Sequence, residues 1–149
     1  MSTPSRTVVI GCGNASRGDD AAGLEVVRLL RGSLPPSVAT EETSGDATEL
    51  IDAWAGADLA IVIDAVCSGA APGTVHRRID LVSGDSFRGS SHSLGLAEAV
   101  GLGEALGRMP GTLIVFGIEG GDFSIGAPLS APVWSAVQDV AGTLSADLR

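Results

Sequence analysis

Apolar runs that alternate with helix-like stretches are the feature that most limits how this chain folds. The clearest run, 59–65, is apolar throughout except for Asp64, and 112–118 is nearly all apolar. Strands of this kind are buried on both faces, as in a parallel sheet that helices cover on both sides. The alternation of strands and helices favours the same architecture. The sequence therefore predicts an α/β three-layer sandwich, in which helices cover both faces of a mainly parallel five-stranded sheet.

The predicted elements follow the order β-α-β-α-β-β-α-β-α. Gly32 and Gly56 are natural stops for the first two helices, and Pro132 suits the first turn of the last one. Asp46 and Glu49 have the spacing of a capping box at the start of the second helix. We predict strands at 7–10, 37–43, 59–65, 73–79 and 112–118, and helices at about 20–31, 46–56, 94–106 and from 132 onward.

The length and net charge of the chain indicate a single domain and argue against nucleic-acid-binding and membrane-binding proteins. The chain has 149 residues, 44% hydrophobic and 18% charged, which fits a single domain over 1–149 with its own core. Its formal net charge of −9 repels phosphate backbones and anionic lipid, so we expect neither nucleic acid nor membrane as a partner. We find no signal segment and no apolar run long enough to span a membrane, and we expect a cytoplasmic monomer.

The two cysteines, Cys12 and Cys67, lie in or beside apolar strand-like runs, and no CxxC is present. We expect both to be buried, reduced thiols. Cys67 also follows Asp64 closely enough to serve as a soft metal ligand, but we retain the buried-thiol interpretation.

Candidate functional residues follow the strands, because open α/β sheets bind ligands beyond the carboxyl ends of their strands. Asp64 ends the most apolar strand, where an ionised carboxylate requires a partner or a ligand. Asp20 lies at the start of the first predicted helix, and His92 lies just before the third. Two carboxylates and an imidazole are the donor set of an open metal site for nickel, zinc, copper or iron.

Each of these residues also has a purely structural interpretation. Asp64 is placed to accept backbone N–H bonds in the next turn, and His92 fits an exposed loop. One of Asp19 and Asp20 is expected to cap the first helix, which leaves the other to point elsewhere. His76, on the predicted edge strand, is assigned to surface structure. Glu119 follows the last strand and is a further acidic strand-end residue.

The glycine-rich turn after the first strand raises an alternative function. The sequence Gly11-Cys12-Gly13-Asn14-Ala15-Ser16 resembles a dinucleotide-binding fingerprint, but Ser16 replaces the third glycine. Neither a phosphate-binding GxxxxGK[ST] loop nor a GxSxG nucleophile elbow is present. A Rossmann-like nucleotide-binding module therefore remains an alternative interpretation of this turn.

Four stretches together resemble the nickel–iron hydrogenase maturation endopeptidases, in the order and spacing typical of that family and over nearly the whole chain. The opening segment, with its GxGN turn followed by paired acidic residues, and the later Ser-His-Ser-Leu-Gly segment are specific in combination. The stretches are Val9 to Asn14 continuing through Arg17 to Gly23, Ile61 to Val66, Ser91 to Leu96, and Val115 to Glu119.

The resemblance implies an endopeptidase that removes a C-terminal peptide from the precursor of the hydrogenase large subunit after nickel insertion. It implies that Asp20, Asp64 and His92 are the metal-contacting and catalytic residues. Nickel would then arrive with the substrate, and no organic cofactor is expected. A family member that has lost hydrolysis and acts only as a chaperone is a further alternative, against which the retention of all three residues argues.

Overall fold

The computed structural model describes residues 6–80 and 94–149, and these contain the predicted five-stranded sheet. The strand order is β2-β1-β3-β5-β4. The pairs β1–β2, β1–β3 and β3–β5 are parallel, and β4 runs antiparallel to β5 at the edge. The strands are β1 (Thr7–Cys12), β2 (Val38–Thr43), β3 (Leu59–Val66), β4 (Val75–Asp80) and β5 (Thr112–Glu119).

Helices cover both faces of the sheet, as predicted. One core lies between the sheet and helices α1 and α4, and the other lies between the sheet and helices α2 and α3. Aliphatic side chains fill both cores, with Trp54 fully buried in the second. The predicted α/β three-layer sandwich is confirmed. The helices are α1 (Ala22–Leu30), α2 (Ala47–Trp54), α3 (Leu94–Leu106) and α4 (Ala131–Asp147).

Alternate residues of β3 point to opposite cores, as the two-residue period of a strand requires. Ile61, Ile63 and Ala65 pack toward α1 and α4. Ala60 and Val62 pack toward α2 and α3. Asp64 shares the parity of Ala60 and Val62, so it lies on the face covered by α2 and α3.

The start of the first helix differs from the prediction. A short 3₁₀ helix, Gly18–Ala21, precedes α1, and the N-cap residues of the two helices are Arg17 and Ala21. Neither cap makes a side-chain hydrogen bond. The prediction that Asp19 or Asp20 caps this helix is wrong, because the Asp19 carboxylate instead binds backbone N–H groups of another loop.

The start of α2 follows its capping signal. The Asp46 carboxylate accepts the backbone N–H groups of Thr48 and Glu49 at 3.2 and 3.4 Å. The Glu49 carboxylate accepts the Ser44 backbone N–H at 3.0 Å. The capping residue is therefore as predicted, and the reciprocal bond of the box reaches Ser44.

The two cysteines differ in environment. Cys12 is buried, as predicted, and Cys67 is exposed. The prediction of a buried Cys67 thiol is wrong, because β3 ends at Val66 and Cys67 already belongs to the following loop. Both are free thiols. No helix in the two described ranges is long and apolar enough to cross a membrane.

Candidate active site

Asp64 lies at the carboxyl end of the central strand β3, and only 4% of its surface is exposed. Strands β1 and β5 flank it through the register pairs Gly11–Ile63 and Asp64–Gly117. Burying a carboxylate this deeply requires compensating interactions. Its position at the centre of the sheet edge is the one at which open α/β folds bind ligands.

Asp20 is the third residue of the 3₁₀ helix that follows β1. Its backbone N–H donates to the Arg17 carbonyl at 3.1 Å, and its carboxylate accepts the Asn14 backbone N–H at 2.9 Å. The Asn14 side chain in turn accepts the Ser16 backbone N–H at 2.9 Å. The turn after β1 thus holds Asp20 at two points, its backbone N–H and its carboxylate.

Glycines allow this turn to pack closely on the strand ends. Gly13 has a φ of +144°, and a Cβ added to it would lie 1.9 Å from the Asp20 carbonyl oxygen. A Cβ on Gly23 would lie 2.1 Å from the Ile63 carbonyl oxygen and 2.7 Å from that of Cys12. Only glycine permits these approaches. They hold α1 and the 3₁₀ helix directly against the ends of β1 and β3.

The Cys12 thiol lies among negatively charged side chains at this edge of the sheet. Burial raises the pKa of its thiol to about 12, and the negative charges of Asp64, Glu49 and Asp20 add to the effect. The Thr43 hydroxyl donates a hydrogen bond to its sulfur at 3.3 Å. Cys12 is therefore a protonated thiol at neutral pH and is unsuited to nucleophilic attack.

The third predicted ligand, His92, lies outside the described residues. Helix α3 begins two residues later, at Leu94. A Cβ on Gly95 would lie 1.9 Å from the Gly45 carbonyl oxygen, so the first turn of α3 packs against the turn that precedes α2. Within 6–80 and 94–149, no three His, Cys, Asp or Glu side chains are grouped closely enough to hold a metal ion.

Asp19 has a role that the sequence did not reveal. Its carboxylate is fully buried and accepts four hydrogen bonds: from the backbone N–H groups of Gly121, Asp122 and Ser130 at 2.8, 3.0 and 2.8 Å, and from the Ser130 hydroxyl at 2.9 Å. Burial alone would raise the pKa of Asp19, but these bonds lower it below its usual value. Asp19 therefore ties the loop after β5 to the turn that carries Asp20.

A second buried carboxylate, Glu119, ends β5 on the same face of the sheet as Asp64. Only 1% of its surface is exposed. It accepts the Ser68 backbone N–H at 2.9 Å and the Ser68 hydroxyl, and it contacts His76 Nε2 at 3.1 Å. The same sequence pattern points to Glu119 and to Asp64: an acidic residue near the end of an apolar strand. His76 gave no such signal, because the register of the edge strand is not visible in the sequence.

A cavity of about 310 Å³ lies between β2 and α2, away from Asp64. Its lining is strongly acidic, and one of its carboxylates, Glu42, is paired with Arg28 and Arg31 at 3.0 and 2.5 Å. The lining residues are Glu41, Glu42, Thr43, Glu49, Asp52 and Ala53.

Comparison with known proteins identifies relatives of this architecture. Residues 26–146 match the family model of the hydrogenase maturation proteases, HycI. The chain is also 31% identical, over 142 residues, to the hydrogenase expression/formation protein HupD of Bradyrhizobium diazoefficiens. That match covers 89% of this chain and 72% of the relative.

Solved structures show the same fold. The hydrogenase maturating endopeptidase HybD from E. coli matches with a TM-score of 0.82 at 27% identity, covering 97% of this chain and 92% of that one. The [NiFe] hydrogenase maturation protease HybD from Thermococcus kodakarensis matches with a TM-score of 0.77 at 23% identity, covering 97% and 99%. The first likeness extends to sequence, and the second is one of fold.

Proposed function

Because this chain belongs to the hydrogenase maturation protease family, we propose that it removes the C-terminal extension of a hydrogenase large-subunit precursor that already carries nickel. The reaction is hydrolysis of one peptide bond, and nickel belongs to the substrate. We further propose that the enzyme acts as a monomer in the cytoplasm.

The observation that carries this proposal is the placement of two carboxylates at one edge of the sheet. The turn holding Asp20 packs against the end of β3, through the contact of Gly23 with the Ile63 carbonyl, and Asp64 is the next residue of that strand. In addition to burial, the charges of both carboxylates raise the pKa of the Cys12 thiol. Asp20 and Asp64 are therefore suited to contact one metal ion, with His92 as the third proposed ligand.

The donor types suit a metal ion that arrives partly coordinated. Two carboxylates and an imidazole leave coordination positions open, which the soft thiolates of a precursor would occupy. Nickel held in this way would polarise the scissile carbonyl or activate a water molecule. An empty precursor offers no ion for Asp20 and Asp64 to bind, so the site itself would select nickel-loaded substrate.

The residues around the site favour attack by water over attack by the enzyme. Cys12 is buried and protonated at neutral pH, so it is a poor nucleophile. Asp20 is fixed by the Asn14 N–H, which holds its carboxylate in one orientation for the metal. Positioning of this kind is a large part of what an enzyme supplies to a hydrolysis.

Nucleotide binding over Gly11–Gly18 is disfavoured by the same contacts. In dinucleotide-binding turns, backbone N–H groups are directed at the pyrophosphate. Here the Asn14 N–H donates to the Asp20 carboxylate, and the Gly13 N–H donates to the Thr43 carbonyl at 3.1 Å. A phosphate placed at this turn would meet a negative charge in place of free donors.

The test compares nickel-loaded with nickel-free precursor in a purified processing assay. We expect cleavage of the nickel-loaded form alone, and loss of that cleavage in Asp20→Ala. The control variant is Asp139→Ala, since Asp139 is exposed on α4, away from this edge. Equal cleavage of the two precursors would contradict recognition through the metal. Tight binding of NAD, FAD or S-adenosylmethionine would support the nucleotide-binding alternative.

A further inference from the structure

Strand pairing places His76 in the same row as Asp64. Asp64 of β3 is paired with Gly117 of β5, and Gly117 is paired with His76 of β4. Directly paired residues point to the same face of a sheet. His76 and Asp64 therefore face the same side, about 10 Å apart at their Cα atoms, which is two strand spacings.

The residue between them is a glycine. Gly117 is buried and places no side chain in the row, so only backbone separates the Asp64 and His76 side chains along it. A peptide bound along this row can have its scissile carbonyl beside Asp64 and its leaving nitrogen toward His76.

Glu119 orients the imidazole. Its carboxylate is buried and fixed by both the N–H and the hydroxyl of Ser68, and it contacts His76 Nε2 at 3.1 Å. The His76 side chain is 40% exposed, and Nδ1 has no hydrogen-bond partner within the described residues. An imidazole held at one nitrogen by a carboxylate, with the other directed toward substrate, is the arrangement of an oriented general acid or base.

We propose that His76, oriented by Glu119, protonates the leaving amine of the peptide bond cleaved beside Asp64. This inference rests on the proposed peptidase function. The oxygen of water bonds to the carbonyl carbon, and the C–N bond breaks with its electron pair remaining on nitrogen. The imidazolium Nδ1–H supplies the proton to that nitrogen, and a proton released by the water restores the imidazolium. One water molecule is consumed, and no other reactant is needed.

The variant His76→Ala tests this role in single-turnover processing of nickel-loaded precursor. We expect the cleavage rate constant to fall about 100-fold, the lower end of the range for a general acid, with precursor affinity unchanged. Added imidazole should restore part of the rate in His76→Ala and should not accelerate the wild-type enzyme. A residue that only stabilises the edge strand would not show this rescue.

Two further variants keep the test decisive. His76→Gln retains a side-chain donor for Glu119 but cannot transfer a proton, so we expect the same loss of rate. Arg77→Ala is the matched control on the same strand, because Arg77 faces the opposite side and stacks over Phe116 at 5.5 Å. It should cleave at the wild-type rate.

Wild-type rates in His76→Ala or His76→Gln would overturn the role of His76 while leaving the peptidase function intact. Loss of precursor affinity in proportion to rate, without rescue by imidazole, would also overturn it. Failure of the wild-type enzyme to cleave nickel-loaded precursor would instead overturn the proposed function itself.

Discussion

The two faces of the sheet end differently at the carboxyl edge. Toward α1 and α4, the last inward residues of β3 and β5 are the apolar Ala65 and Ile118, and the core continues to the edge. Toward α2 and α3, by contrast, β3 and β5 carry the buried carboxylates Asp64 and Glu119 within their last three residues. Because consecutive residues of one strand serve both faces, a single strand end contributes to the core and to the site at once.

The adjacent residues Asp19 and Asp20 also differ from each other in burial and in hydrogen bonding. Asp19 is fully buried and has four hydrogen bonds to the loop after β5 and the start of α4. Asp20 is partly exposed, and within the described part of the chain its carboxylate accepts one hydrogen bond, from the Asn14 N–H. Asp19 thus has a structural role, and Asp20 keeps a partly exposed carboxylate for its proposed contact with the metal.

The largest expected effect comes from removing the Asp64 carboxylate, which lies on the face covered by α2 and α3 and is a proposed metal ligand. Asp64→Ala should lower the processing rate about a thousandfold, because polarisation by a metal ion is worth several kcal/mol and each ~1.4 kcal/mol is tenfold. Ile61→Val, in the same strand but on the apolar face, should cost about 1 kcal/mol of unfolding free energy and leave the rate unchanged. Processing assays and chemical denaturation measure both. Similar processing rates in Asp64→Ala and Ile61→Val would contradict the proposal that only the face of Asp64 takes part in the reaction.

A smaller but substantial effect is expected at Asp19. Asp19→Ala leaves the donors of Gly121, Asp122 and Ser130 without their acceptor, and we expect a loss of about 3 kcal/mol in unfolding free energy. Asp20→Ala should cost far less stability than Asp19→Ala, while its processing rate falls no further than that of Asp64→Ala. Urea denaturation compares the two variants. If Asp20→Ala destabilised the protein as much as Asp19→Ala, the division of roles would be wrong.

The smallest effect is a dependence of stability on pH that arises from Glu119. Burial alone would raise its pKa, but the Ser68 and His76 hydrogen bonds lower it below its usual value of 4.5. Because the folded-state pKa is lower than that of the unfolded chain, the unfolded chain binds the proton first on acidification. The contribution of Glu119 is therefore present above about pH 4.5 and is lost as pH falls through the folded-state value.

Glu119→Gln should reduce the slope of unfolding free energy against pH below about pH 4.5. Glu104→Gln is the control, since Glu104 is exposed on α3. Denaturation curves between pH 6 and pH 3 provide the measurement. Equal slopes in wild type and Glu119→Gln would contradict the assignment.

The sequence predicts the architecture well because its two central strands are almost wholly apolar. Strands β3 and β5 end only one residue beyond their predicted limits, and α3 spans its predicted range. The 3₁₀ start of α1 could not be predicted, because it depends on Asp19 binding a loop that lies about a hundred residues away. Local sequence preferences predict only the competing interaction, in which an aspartate side chain caps the helix.

For the candidate site, the sequence locates strand ends but not cross-strand neighbours. Asp20 and Asp64 could be proposed from sequence because Asp20 follows β1 and Asp64 lies near the end of β3. His76 could not, since its alignment with Asp64 depends on the antiparallel register of β4 on β5. Cys67 was misplaced because an apolar run does not show at which residue the strand ends.

The proposed contact of Asp20 and Asp64 with the nickel of the precursor is tested most directly by measuring nickel coordination in the enzyme–precursor complex. Nickel K-edge X-ray absorption would be recorded on loaded precursor alone, and after freeze-quenching with wild type, Asp20→Ala or Asp64→Ala within the first turnover. We expect the wild-type enzyme to add oxygen or nitrogen ligands to nickel, and each variant to add fewer. An unchanged nickel spectrum with wild type, while cleavage proceeds, would contradict this proposal.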